Sequence, residues 1–255
     1  EGCGEGDCGA CTVVVAEPAP EGADRPLTFR AVNSCIRLAH SVDGLALWTV
    51  EDLAAPDGAL HPAQESLARC HGSQCGFCTP GFAMSLFGMY ENHVRQGETI
   101  TPDLARAELS GNLCRCTGYR PILEAACQMQ ALPAAPAHVV DEAALAERLR
   151  VLQAAAKANL SAAPGAQGHA AQPASKTALT SGASAPTPSG ASGAPAYLAP
   201  TTLAELVALR AAHPQAQLVA GCTDVGLWIT KQHRQYTQVL DVTRAHELRQ
   251  CQDQG

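Results

Sequence analysis

The sequence predicts an α+β chain of several domains: a strand-rich opening, a helical second segment, a tether that packs no core, and the start of an α/β unit. Three observations carry this reading. β-branched and alternating apolar runs are confined to residues 1–53, whereas cap signals and helical periodicity dominate 54–130. Between 161 and 196, 31 of 36 residues are Ala, Ser, Gly, Pro or Thr, with Leu179 the only large aliphatic. Such a segment cannot bury enough apolar surface to offset backbone ordering, which costs ~1–2 kcal/mol per residue.

Taken in order, Thr12–Ala16 is a β-branched strand and Leu27–Val32 an alternating one, joined by a Pro- and Gly-containing hairpin loop. Asp43-Gly44 turns the chain into a third strand over Leu45–Val50. Thr79-Pro80-Gly81 predicts a helix start with Thr79 as N-cap. Thr101-Pro102-Asp103 starts another, stopped by Ser110-Gly111. A third follows Pro121, with Ile122, Leu123, Ala126 and Met129 on its apolar face. Leu145, Leu149 and Leu152 mark one amphipathic helix within Val139–Leu160, ahead of the flexible tether. Order resumes at Tyr197, with a capped helix after Thr201-Thr202. A strand over Gln217–Ala220 then enters a glycine turn, and another strand covers Val239–Val242.

The 255 residues carry a net charge of −7, which argues against a nucleic-acid partner, since such binders usually present a basic patch. No apolar run approaches the ~20 residues needed to span a bilayer, so no membrane insertion is expected. The chain opens without Met at Glu1-Gly2-Cys3, inside a motif, so residues upstream are expected. The region after Tyr197 is too short for a complete α/β domain.

Cysteine usage is the strongest signal. Of twelve cysteines, ten fall between Cys3 and Cys127, and they come in tight bursts. Neighbours one or two residues apart rarely form disulfides with each other but chelate metals well, which points to a reducing, cytoplasmic setting. Cys3, Cys8 and Cys11 followed by Cys35 have the spacing of a plant-type [2Fe–2S] site. Gly2, Gly4, Gly6 and Gly9 supply the turns and leave N–H groups free to face the sulfurs. Cys75/Cys78 and Cys114/Cys116 form a second four-thiol set. Each pair precedes a helix, where the helix N-terminus is expected to lower thiol pKa. By themselves CxxC and CxC also suit zinc, which leaves a zinc-stabilised, non-redox interaction module as a rival. Cys70, Cys127, Cys222 and Cys251 read as bystanders, and His71 and Gln74 as satisfied polar neighbours of the CxxC.

Three segments carry a resemblance. Glu1–Val13 and Gly72–Gly81 resemble the two cysteine loops of molybdenum hydroxylases, and Gly111–Pro121 completes the second. The type they are most similar to is the iron–sulfur/FAD subunit of xanthine dehydrogenase-like enzymes. The resemblance implies a truncated β-grasp ferredoxin-like domain (1–53), an all-α [2Fe–2S]-binding domain (54–130), a linker with one helix (131–196) and the start of an FAD-binding domain (197–255). It implies two [2Fe–2S] clusters, ligated by Cys3, Cys8, Cys11 and Cys35 and by Cys75, Cys78, Cys114 and Cys116. Electrons would pass from a molybdenum-pterin site on a large partner subunit, through the clusters, to FAD and NAD during purine hydroxylation. No catalytic residue is assigned to this chain. Gln74 and Cys116 match pterin-facing positions. Val219, Ala220, Gly221, Cys222, Thr223, Asp224, Val225 and Gly226 resemble the loop that holds the FAD pyrophosphate, in accord with a strand entering a Gly-rich turn. The assembly implied is a heterotetramer or a larger set of heterodimers. Aldehyde and N-heterocycle oxidoreductases share the cysteine motifs.

Overall fold

The computed structural model describes residues 1–20, 22–162 and 196–251, with side chains omitted for 155–162. The low-complexity tether lies outside the described residues apart from its ends. The chain is mixed α/β. Strands β1 (Thr12–Pro18), β2 (Leu27–Asn33) and β3 (Ala46–Trp48) form an antiparallel sheet ordered β2-β1-β3. β1 pairs with β2 along its whole length, from Thr12 opposite Asn33 to Pro18 opposite Leu27. The third strand is shorter than the sequence predicts because Val50 and Glu51 enter a 3-10 turn capped by Thr49 and Asp52.

Helices α1 (Pro62–Arg69), α2 (Thr79–Asn92), α3 (Pro102–Glu108) and α4 (Arg120–Gln128) follow. α2 is the hub. Every residue from Gly81 to Glu91 is buried, so this helix has no polar face and lies against the sheet on one side and α1 on the other. Its Phe82, Met84, Leu86 and Met89 join Val14, Leu27 and Phe29 of the sheet in one core, with burial of each large side chain favourable by ~1.5–3 kcal/mol. Thr79 is not the N-cap of α2. Cys78 holds that position without a side-chain bond, and the Thr79 hydroxyl donates to Ser73 Oγ at 2.7 Å. Thr101 does cap α3, accepting from Leu104 N at 3.2 Å. On α4 and the 3-10 turn that follows it, Ile122, Ala126 and Met129 are buried as expected, but Ala125 also faces the core while Leu123 only borders it.

α5 (Glu142–Ala162) docks back on the first sheet. Arg25 pairs with Glu142 at 2.7 Å and Gln153 donates to Gly44 O at 2.9 Å. Leu149 and Ala146 are buried, whereas Leu152 is 57% exposed, so the apolar face is narrower than the leucine spacing predicts.

The C-terminal portion contains β4 (Ala196–Leu198), α6 (Leu203–Ala212), β5 (Gln217–Val219), α7 (Thr223–Thr230) and β6 (Gln238–Asp241). Its three strands are all parallel, ordered β4-β6-β5, over a small core of Leu198, Leu206, Ala216, Leu240 and Ala245. Thr202 caps α6 by accepting from Glu205 N at 3.2 Å. Among the described residues no helix is long and apolar enough to cross a membrane.

Candidate iron–sulfur and flavin sites

The loop before β1 carries Cys3, Cys8 and Cys11, and Cys35 reaches it from the turn after β2, one hairpin away. Gly4, Gly6 and Gly9 all have φ between 64° and 77°, the left-handed region open to glycine without strain. This coiling turns amides inward: Glu5 N–H donates to Cys3 Sγ at 3.4 Å and Cys8 N–H at 3.5 Å. Burial pushes the Cys3 thiol up, but the amides of Cys8, Glu5 and Asp7 outweigh it and bring it down to about 7. Cys35 goes the other way, to about 11, because burial and the adjacent Cys11 thiol both disfavour its anion. A thiol on the loop is thus prepared for deprotonation, while its partner from the hairpin needs a cation nearby.

The second set forms where the turn before α2 meets the turn before α4. The Cys75 thiol is lowered by the Phe77 amide and by Cys116 beside it, and Cys116 is raised correspondingly. Cys78 and Cys114 are the inner pair. Burial and the Cys114 thiol push Cys78 up to about 11. Burial also opposes ionisation of Cys114, but the Thr117 hydroxyl and the amides of Thr117 and Cys116 override it. Against the expectation that these helix starts lower the thiols, the outcome is split: Cys75 and Cys114 are lowered, by local amides, hydroxyls and neighbouring thiols, while Cys78 and Cys116 are raised. Cys78 does sit at the start of α2, yet desolvation exceeds the helix-end effect, which is only ~0.3–1 kcal/mol near a surface. Cys116 is separated from α4 by Thr117-Gly118-Tyr119, and the Cys75 thiol beside it raises it.

Among the described residues no group of three or more His, Cys, Asp or Glu side chains is placed to hold one metal ion. The thiols meet in pairs: Cys3 with Cys8, Cys11 with Cys35, Cys75 with Cys116, and Cys78 with Cys114. Gln74, Cys75 and Cys116 are exposed, as are Phe77, Leu113 and Tyr119. Cys70 and Cys127 border the main core and Cys251 is exposed.

The two thiol sets are locked together by residues with no cofactor-like signature. Leu113 N–H donates to Cys8 O at 3.0 Å. Asn112, buried beside it, donates to Gly9 O at 3.1 Å and Thr12 Oγ1 at 3.3 Å, while its Oδ1 accepts from Ser85 Oγ at 2.6 Å. Gly81 of α2 faces the Gly9 carbonyl so closely that no Cβ would fit. The only sequence hint is the asparagine two residues before Cys114.

The segment Val219–Gly226 divides in two. Val219, Cys222, Val225 and Gly226 are buried packing residues, whereas Ala220, Gly221, Thr223 and Asp224 are exposed. Gly221 (φ 74°) and Cys222 (φ 66°) are both left-handed, and a non-glycine residue held there is strained. The turn leaves the first amides of α7 without a side-chain cap. That is the arrangement an anionic diphosphate needs, so the loop fits the group the sequence assigns to it. The far end of α7 touches the first cysteine loop. Thr230 Oγ1 donates to Gly4 O at 2.9 Å, Lys231 Nζ to Cys3 O, and Gly226 packs on Ile36, next to Cys35.

Comparison with known proteins follows the same division. A family described as "[2Fe-2S] binding domain" matches residues 49–127, and one described as "FAD binding domain in molybdopterin dehydrogenase" matches 190–255. Xanthine dehydrogenase of Drosophila subobscura is 33% identical over 273 aligned positions, covering 99% of this chain and 19% of that protein. Xanthine dehydrogenase of Oryza sativa subsp. japonica is 46% identical over 124 positions, 49% of this chain and 9% of that protein. Human aldehyde oxidase is 44% identical over 124, again 49% and 9%. The chain thus spans no more than a fifth of these relatives. Motifs, thiol pairing and matches converge, and the chain belongs to the molybdenum hydroxylase family, whose [2Fe–2S]-binding and FAD-binding portions it carries.

Proposed function

We propose that this chain is the electron-transfer part of a xanthine dehydrogenase-like molybdenum hydroxylase. The carrying observation is the pairwise meeting of eight thiols in two sets. A [2Fe–2S] cluster takes two ligands on each iron, so pairs suit it better than a single tetrahedral ion does. Bound there, two such clusters supply one-electron carriers between a molybdenum-pterin site on a large partner subunit and FAD, with NAD as the final acceptor.

The chain's own residues have distinct parts in this reading. Cys3, Cys8, Cys11 and Cys35 hold one cluster, and the amides on Cys3 stabilise its thiolate. Cys75, Cys78, Cys114 and Cys116 hold the other. Its outer pair is exposed together with Gln74, and the exposed Phe77, Leu113 and Tyr119, near these ligands in sequence, suit coverage by the partner subunit, in a heterotetramer or larger assembly. Asn112 and Leu113 keep the two sets in register. Ala220, Gly221, Thr223 and Asp224 line the turn that takes the FAD diphosphate, and α7 places that turn one helix length from Cys3. The natural units are 1–53, 54–130, a connecting 131–196 and 197–255.

Purine hydroxylation is the favoured reaction, resting on the match that spans 99% of the chain. Human aldehyde oxidase matches 49% of the chain at 44% identity, against 46% for the rice xanthine dehydrogenase over the same length, so oxidation of an aldehyde is the second reading. Anaerobically purified chain should be red-brown and contain four irons and four labile sulfides, two per cluster. Stoichiometric zinc in colourless protein would refute the proposal.

A further inference from the structure

α7 ends against the first cysteine loop, with Lys231 as its C-cap. A helix C-terminus carries a partial negative charge. The loop it meets is acidic in its own right. Residues 1–11 include Glu1, Glu5 and Asp7 and neither Lys nor Arg. The thiolates of Cys3, Cys8, Cys11 and Cys35 add to that charge when they hold a cluster, and reduction of the cluster adds one electron more.

Lys231 brings a cation to this loop from 228 positions along the chain. Its Nζ donates to Cys3 O and lies 3.8 Å from Glu5 Oε2. Thr230 Oγ1 donates to Gly4 O at 2.9 Å, so the end of α7 meets Cys3, Gly4 and Glu5 in succession. Glu5 is tied to the same ligand, because its N–H donates to Cys3 Sγ at 3.4 Å. Lys231 and Glu5 are each 47% exposed. An ion pair so open to water contributes little to stability. Its two charges nonetheless act on the Cys3 ligand with opposite signs, and local charge is one of the levers on a cluster's potential.

We propose that Lys231 and Glu5 set the reduction potential of the first cluster, Lys231 raising it and Glu5 lowering it. The ammonium favours the form that has gained an electron from the preceding carrier, and the carboxylate opposes it. Lys231 belongs to the flavin-binding portion, so docking of that portion makes the cluster beside it a better electron acceptor. This inference rests on the electron-transfer reading.

The test is an anaerobic potentiometric titration of the full chain, followed by EPR of the reduced clusters, with iron content and circular dichroism compared between variants. At a fixed ambient potential, Lys231→Gln should lower the reduced-to-oxidised ratio of one cluster by about threefold. Glu5→Gln, which keeps the amide facing Cys3, should raise the ratio of the same cluster by a similar factor. The double variant should return it close to wild type, and Lys231→Arg, which keeps the charge, should match wild type. The other cluster should not move. The shifts should shrink as salt rises, because exposed charges are screened. A purely structural role gives a different pattern, since either single variant breaks the same contact. Shifts of the same sign in both, no shift in either, or equal shifts of both clusters would overturn the proposal. Protein without iron overturns the electron-transfer reading and this inference with it, whereas iron-loaded variants with unmoved potentials overturn the inference alone.

Discussion

Replacing Asn112 with Ala should loosen the first cysteine loop from the helical segment. Asn112 is 4% exposed and makes three hydrogen bonds, to Gly9 O, Thr12 Oγ1 and Ser85 Oγ. The consequences of losing them are unequal. Gly9 O keeps two donors, the amide of Thr12 at 3.1 Å and its hydroxyl at 2.6 Å, so it is not stranded. Ser85, 5% exposed, loses the acceptor it holds at 2.6 Å. Two lost bonds at ~0.5–1.5 kcal/mol each, plus ~1–3 kcal/mol for a stranded buried hydroxyl, give a cost of about 4 kcal/mol. That is a large share of the ~5–15 kcal/mol that holds a typical domain folded. Urea unfolding followed by far-ultraviolet circular dichroism measures it directly. Adding Ser85→Ala should recover about 1 kcal/mol, since it removes the stranded hydroxyl. A cost below about 0.5 kcal/mol for Asn112→Ala, or simple additivity of the two changes, would refute this account of the knot.

Two further outcomes follow from the packing. Gly81→Ala should cost ~1–3 kcal/mol or more, because the new Cβ would lie 3.0 Å from Gly9 C and 3.1 Å from Ala10 Cα, backbone atoms that cannot swing aside; unfolding at wild-type denaturant concentrations would contradict it. Glu91 is fully buried with neither carboxylate oxygen hydrogen-bonded among the described residues, and burial raises its pKa to about 7 from 4.5. Its folded form holds its proton where the unfolded form has lost it, so its contribution to stability is full below pH 4.5 and is lost as pH rises to about 7. Glu91→Gln should therefore equal wild type at pH 4 and exceed it by a few kcal/mol at pH 8. A gain that is the same at both pH values would show that the carboxylate is not desolvated. His61, whose burial lowers its pKa to about 3, destabilises the fold as pH falls from 6.5, but it cancels in this difference because both proteins carry it.

What was legible in the sequence was the chemistry that demands a residue type at a fixed spacing. Cys3, Cys8, Cys11 and Cys35, and the later Cys75/Cys78 and Cys114/Cys116, announce themselves because only a thiolate serves and only short separations let one turn present several. The glycine turn at Gly221 and the caps Thr101 and Thr202 were legible for a similar reason: each satisfies a local backbone requirement. Local signals failed where tertiary packing supplied the competing force. Thr79 has the sequence of an N-cap, but Ser73 takes its hydroxyl and Cys78 the cap position. Leu152 has the spacing of a core residue, but α5 turns it to solvent. The Cys78 thiol sits at a helix start, but its burial between two segments raises its pKa.

The sequence by itself determined which side chains are proposed to hold metal and the order of strands and helices along the chain. The three-dimensional fold alone decided how the eight thiols pair, that Asn112 reaches Gly9 across 103 positions, and that Lys231 of the flavin-binding portion meets the loop of Cys3. The physical reason is range. Coordination spacing, capping and periodicity act over a few residues and leave a local imprint, whereas desolvation and charge balance depend on whatever the fold brings within a few ångströms, however far apart in sequence.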